Sequence, residues 1–166
     1  MSLVTIRPAH RDDVPAVVAM VHELAAFERE PQACHLTEKQ LETALFGPQP
    51  ALFAHVAVGE DDTPYGMALW FLNFSTWEGE HGIYLEDLYV RPQHRSTGAG
   101  AALVAELARI CVERGYQRMD WVMLDWNPAA SFYAQLGAEP SRNWVPYRLT
   151  GSALGRLAER ASAVRR

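Results

Sequence analysis

Apolar and polar residues follow two rhythms along this chain, one of period two and one near 3.6, and the switches between them predict its elements. Leu3 to Arg7 reads as a short strand. Behind Asp12 and Asp13, the positions Val14, Val17, Val18, Val21, Leu24 and Ala25 recur at helical spacing. Thr37-x-x-Gln40, a pair able to satisfy each other's backbone N–H, opens a second short helix that Gly47-Pro48 stops. Two apolar runs, Ala51 to Val58 and Tyr65 to Phe74, flank the turn-rich G-E-D-D-T-P and predict an antiparallel hairpin. Ile83 to Val90 is the next strand. Past a glycine-containing loop, Leu103, Leu107, Ala108, Ile110 and Cys111 line one face of a helix ending at Gly115, opposite Glu106, Arg109 and Glu113. Gln117 to Leu124 predicts a further strand. Pro128 opens a short helix that Gly137 closes, Trp144 to Leu149 adds a last strand, and the tail from Ser152, with Arg156, Arg160, Arg165 and Arg166, reads as a solvated helix.

The resulting order, β-α-α-β-β-β-α-β-α-β, predicts an α/β fold with a mixed sheet and helices on both faces. The step from Ile83–Val90 through a helix to Gln117–Leu124 is a parallel crossover, which sets the glycine loop at the carboxyl end of a strand, where such sheets bind ligands. At 166 residues the chain is expected to be one domain, residues 1–166, with one site.

Charge narrows the partners. A formal net charge of −5, without a concentrated basic patch, argues against nucleic acid. No apolar run reaches the length of a membrane span and no signal-peptide core opens the chain, so a cytoplasmic protein away from membranes is expected. Cys34 and Cys111 stand far apart, with no histidine spacing that completes a metal site. Neither a disulfide nor a metal is expected.

The chemistry concentrates in Tyr84 to Gly100, Y-L-E-D-L-Y-V-R-P-Q-H-R-S-T-G-A-G. A strand, a Pro-marked turn and a glycine loop opening a helix make an anion cradle, because backbone N–H groups at a helix N-terminus attract phosphate. A P-loop would need a lysine that the loop lacks, and a dinucleotide fingerprint would need glycine where Leu103 stands. Arg95-x-x-Gly98-x-Gly100 instead resembles the pyrophosphate loop of the GNAT superfamily of N-acetyltransferases. Within it the chain is most similar to spermidine/spermine and thialysine N-acetyltransferases, through I-R-P-A, H-E-L-A-A-F-E, W-x-G, Y-L-E-D-L-Y-V, R-S-T-G-A-G, and D-W-N followed by F-Y-A-Q-L-G-A.

That resemblance implies acetyl transfer from acetyl-CoA to a primary amine of a small cationic molecule, a diamine, polyamine or thialysine-like amino acid, by direct attack on the thioester. It also implies a mostly antiparallel sheet whose central parallel pair splays to hold acetyl-CoA. Backbone at Leu88, Tyr89 and Val90 would pair with pantetheine. Ser96, Thr97, Gly98, Ala99, Gly100 and Ala101 would wrap the pyrophosphate, with Arg95 adding charge. Asn127 would be a further CoA contact, although it precedes Tyr133 by six residues where the resembling enzymes have seven. Glu86 would bind the amine and relay its proton, and Tyr133 would protonate the departing thiolate. Phe27, Glu28 and Trp77 would contact the amine's chain. Val145 stands where the polyamine enzymes carry an acid, which makes a smaller amine as good a candidate as spermidine. A homodimer is implied by the same resemblance.

Each of these residues also has an ordinary structural use: core packing for Leu88, Val90 and Phe27, solvation for Glu28 and Glu86, a structural partnership for Asp87. Other readings stay open: a catalytically silent acyl-CoA-binding module, a dinucleotide-binding oxidoreductase, and a protein or peptide N-terminal or lysine acetyltransferase.

Overall fold

The computed structural model describes residues 4–163. Leu3, Arg165 and Arg166, assigned above to the terminal elements, lie outside them. The chain divides into two compact units, Met1–Asn127 and Pro128–Arg166. The first holds β1 (Thr5–Pro8), α1 (Val14–Phe27), α2 (Glu38–Phe46), β2 (Phe53–Val58), β3 (Pro64–Ser75), β4 (Glu80–Val90), α3 (Ala99–Arg114) and β5 (Met119–Asp120). The sheet runs β1-β2-β3-β4-β5, antiparallel through its first three pairings and parallel between β4 and β5.

Period-two alternation sorts the strands onto two cores. Ala54, Val56 and Val58 of β2, with Met67 and Leu69 of β3, pack against Val14, Val17, Val18 and Met20 of α1 and Leu41 and Leu45 of α2. On the opposite face Ala57, Ala68, Trp70, Ile83 and Leu85 meet Ala99, Leu103, Leu107, Ile110 and Cys111 of α3. The sheet is therefore covered by helices on both faces. Val14, Val17 and Val18 of the stripe read on α1 and Leu103, Leu107, Ile110 and Cys111 of that on α3 are buried, whereas Val21, Leu24 and Ala25 are partly buried and Ala108 is exposed; Cys111 packs as a small apolar residue.

Local chemistry fixes where the helices begin. Thr37 Oγ1 accepts from the Gln40 N–H at 3.3 Å while Gln40 Oε1 accepts from the Thr37 N–H at 2.9 Å, the reciprocal cap expected for α2. Ahead of α1, the buried Asp13 takes bonds from the Arg7 guanidinium at 2.7 and 3.1 Å and from the His10 N–H at 2.6 Å, tying β1 to the helix.

The main departures from expectation follow β4. Gln117 to Leu124 was expected as a full strand, yet only Met119–Asp120 pairs, opposite Ile83 and Tyr84. The register of β3 against β4 slips at the next step, with Leu69 opposite Asp87 and Trp70 opposite Leu85, so Glu86 is an extra residue. A bulge bends and twists its strand more strongly, and β4 leaves its parallel neighbour where that bend begins. This is the splay of the central pair.

The second unit holds α4 (Ala130–Gln135) and α5 (Gly151–Ala163). The short helix starts two residues later than the proline suggested, with Ala129 at its N-cap, and Gly137 follows its end at φ 86°, as expected of a closing glycine. Trp144 to Leu149 forms no strand among the described residues. Pro146 removes a ladder donor from its middle, and Tyr147 is 96% exposed. No helix of the described residues is long and apolar enough to cross a membrane.

The Arg7–Asp13 pair supplies a stability test. Burial alone would raise the Asp13 carboxyl, but the bonds from Arg7 and His10 outweigh it and hold the group below the usual carboxylate range. A depressed folded pKa adds stability above the unfolded value of 3.8, and the gain is lost as pH falls through the folded one. Asp13→Asn is expected to cost about 2 kcal/mol at pH 7, since it removes the carboxylate that takes two of the Arg7 bonds and leaves that guanidinium only its exposed partner Asp62, with the difference from wild type shrinking in acid. Urea unfolding at several pH values measures it.

Candidate active site

The extra residue in β4 decides which side chains face which helix. Ile83 and Leu85 point to the α3 face; beyond Glu86 the parity inverts, so Leu88 and Val90 also pack on that face while Tyr89 joins the α1 core. Asp87, paired with Leu69, is thereby turned to the α1 side, and Glu86 is left exposed at the bulge. Strict alternation from Ile83 would have sent Asp87 to the α3 face.

Asp87 is half-buried close to where α1 ends at Phe27. Desolvation, reinforced by the charges of Glu86 and Glu28, pushes its carboxyl up to about 6. Glu28 itself is raised by burial. Three carboxyls, Glu28, Glu86 and Asp87, therefore crowd one region from two elements, and the crowding leaves one of them poised near neutrality, a condition suited to accepting a proton. Sequence reasoning gave Asp87 only a structural part. Its signal was the adjacent acid pair, but nothing in the sequence marks the bulge that buries one member and exposes the other.

The strand leads directly into the anion cradle. Ser96 at φ 65° and Gly98 at φ 87° both take the left-handed conformation, and Thr97 Oγ1 between them donates to the His94 carbonyl at 2.8 Å. Gly98 is the N-cap of α3 and no side chain caps that end. A Cβ on Gly98 would meet nothing within 4 Å, so glycine is favoured there by its backbone angle and not by space. The first intrahelical bond runs from the Ala102 N–H to Gly98 at 2.9 Å, which leaves the N–H groups of Ala99, Gly100 and Ala101 directed out of a 16-residue helix toward any anion. Arg95 donates through Nε to the Val90 carbonyl at 3.0 Å, and its guanidinium lies 5.4 Å from the Phe27 ring centre and 5.6 Å from that of Tyr89. The loop, the end of α1 and the end of β4 thus meet around one arginine.

The remaining candidates fall elsewhere. Leu88, Tyr89 and Val90 lie beyond the last pairing of β4 with β5, where the strand edge on that side continues without a ladder partner among the described residues. Phe27 is 37% exposed, with the Trp126 ring 6.1 Å away. Trp77 sits in the turn before β4, separated from Glu86 by roughly 20 Å of strand. Within one chain the two are not brought together. Asn127 closes the first unit, its N–H bonded to the Leu124 carbonyl at 3.0 Å. Tyr133 belongs to the second unit, on α4, its ring 5.1 Å from that of Phe132. Among the described residues no group of three or more His, Cys, Asp or Glu side chains is placed to hold a metal.

A five-stranded sheet that opens beside an uncapped helix N-terminus defines an acetyltransferase-type α/β fold, and comparison with known proteins makes the assignment. The chain belongs to the GNAT acetyltransferase family, whose model matches residues 18–138. It is 32% identical to the thialysine N-epsilon-acetyltransferase of Bos taurus, over 95% of this chain and 99% of that protein. It is 29% identical to an L-ornithine N5-acetyltransferase of Arabidopsis thaliana, over 90% of this chain and 85% of that one. Among solved structures, an integron cassette protein from the mobile metagenome of V. cholerae superposes with a TM-score of 0.79 at 29% identity, covering 96% of this chain and 99% of its own. The protein is an N-acetyltransferase.

Asp87 gives this region a measurable signature. Its folded pKa, about 6, lies above its unfolded value of 3.8, so the folded state gains from holding the proton and loses that gain as pH rises through 6. Asp87→Asn cannot lose it. The stability of that variant relative to wild type should therefore rise by up to about 3 kcal/mol between pH 4 and pH 8, read from denaturant midpoints.

Proposed function

We propose that the protein moves the acetyl group of acetyl-CoA to a primary amine of a small molecule. The observation that carries this reading is the sequence of features along β4: a bulge that sets Glu86 and Asp87 at the end of α1, then a free strand edge, then the uncapped N-terminus of α3. That series suits a nucleotide-linked thioester. The N–H groups of Ala99, Gly100 and Ala101, with the left-handed Ser96 and Gly98, fit a pyrophosphate, and the backbone of Leu88, Tyr89 and Val90 fits the amides of an extended pantetheine. Bound acetyl-CoA would supply an activated acetyl carbon and a thiolate leaving group.

An alkylammonium has a pKa near ~10.4, so it must be bound as a cation and then relieved of a proton. Glu86 and Glu28 attract the cation. Asp87, raised to about 6, is ionised at neutral pH and accepts the proton, directly or through water. The neutral amine nitrogen then forms the new C–N bond while the C–S bond of the thioester breaks, the electron pair of that bond departs on sulfur, and the nitrogen gives up its second proton to water, which restores the proton returned to sulfur. By the resemblance, the Tyr133 hydroxyl is the group that would return a proton to the sulfur. Phe27 supplies an apolar edge for the amine's chain. The homodimer implied by resemblance remains part of this proposal and is read by sedimentation.

Purified protein given acetyl-CoA and small amines is expected to release CoA, with the acetylated product seen by mass. Glu86→Gln and Asp87→Asn should each lower kcat about 100-fold, and the wild-type rate should climb as pH rises through 6. Tyr133→Phe should lower turnover by a similar factor while acetyl-CoA binding changes little. Tight acetyl-CoA binding with no turnover of any amine would favour a silent binding module, and absence of acetyl-CoA binding would remove the reading of the glycine loop.

A further inference from the structure

Helix α1 ends in an arrangement that ordinarily calls for glycine. The Arg29 N–H bonds to the Ala26 carbonyl at 3.1 Å and the Glu30 N–H to the Ala25 carbonyl at 2.9 Å, the paired bonds that close a helix through one left-handed residue. Arg29 is that residue, at φ 67°. A side chain kept where glycine would be less strained calls for an explanation in what the side chain does.

Its guanidinium lies 4.3 Å from the centre of the Trp126 ring, beside Phe27. Although Glu28 and Glu30 flank it in sequence, Arg29 forms no ion pair with any described residue. A guanidinium held over an indole still has N–H groups to offer, and their fork can take a carboxylate with two parallel bonds. The residue before Arg29, Glu28, belongs to the acidic cluster with Glu86 and Asp87. Carboxylates for an ammonium and an oriented cation for an anion are thus set side by side.

We propose that Arg29, held on Trp126, binds the carboxylate of the amine substrate and so selects α-amino acids with a terminal primary amine over diamines. This rests on the acetyl-transfer reading above. A diamine that seats one ammonium among the carboxylates must bring its second cation near Arg29, whereas an amino acid of the same chain length brings an anion. Arg29 is here a specificity residue and takes no part in the transfer itself.

Ornithine and putrescine differ by the carboxylate alone, as do lysine and cadaverine, so kcat/KM for these matched pairs isolates the effect. The wild type is expected to prefer the amino acid of each pair. Arg29→Gln should lower kcat/KM for ornithine by about 10- to 100-fold, through KM, and leave putrescine unchanged or improved. Arg29→Gly should give the same selective loss while keeping or raising the unfolding midpoint, because glycine relieves the left-handed backbone. Equal losses on both members of a pair, no loss on either, or a wild-type preference for putrescine would overturn the carboxylate site while leaving acetyl transfer standing. Acetylation of neither amine would overturn both.

Discussion

The bulge at Glu86 is the constraint on which the rest of the site depends, because a single extra residue in β4 does three things at once. It inverts the side-chain parity of the strand, bringing Leu88 and Val90 to the same core as Ile83 and Leu85 and turning Asp87 toward α1. It coincides with the end of parallel pairing at Tyr84 and Asp120, which frees the strand edge. And it places two neighbouring carboxylates in unlike surroundings, Glu86 in solvent and Asp87 half-buried. A regular strand would have had to choose between a continuous core and an acidic site. The irregular one has both, at the cost of one interrupted ladder.

Much of this fold was readable from the sequence because its signals are local. The Thr37–Gln40 cap, the stripes of α1 and α3, and the turn before β3 each depend on residues a few positions apart, and the structure places them as expected save Ala108, which is exposed. The glycine loop was readable for the same reason: left-handed Gly98 and the helix behind it are neighbours in sequence. The misses depend on partners distant along the chain. Gln117 to Leu124 has the apolar character of a strand, but its pairing stops where β4 bends away. Trp144 to Leu149 has the same character with Pro146 inside it and finds no ladder among the described residues. Asp87 was undervalued because its environment is set by Leu69 across the sheet and Glu28 on another element, neither of which a motif displays.

Electrostatics gives the site its direction. Arg95 is anchored to the Val90 carbonyl and lies over Phe27 and Tyr89, so a fixed positive charge stands where the strand passes into the glycine loop. The carboxyls of Glu28, Glu86 and Asp87 gather near the bulge, earlier on the same strand. An anionic cofactor and a cationic amine approaching β4 would each find opposite charge along one path and like charge along the other. Charge arranged in this way would orient both reactants before any bond changes, and Arg95 is already held by its aromatic and backbone contacts.

The proton on Asp87 shows why burial and function pull in opposite directions here. Isolated in the α1 core, Asp87 would stay protonated and could accept nothing; fully solvated, it would be too weak a base to help an ammonium. Its raised pKa, about 6, comes first from desolvation and then from Glu86 and Glu28, and both causes operate on the ionised form that the folded protein carries at neutral pH. That ionised form is the source of the instability assigned above to pH values over 6, and it is also what a bound ammonium would neutralise. Binding a cation between these carboxylates would lower the repulsion that raises Asp87, so occupancy of the site and stability of the fold are linked through the same charge.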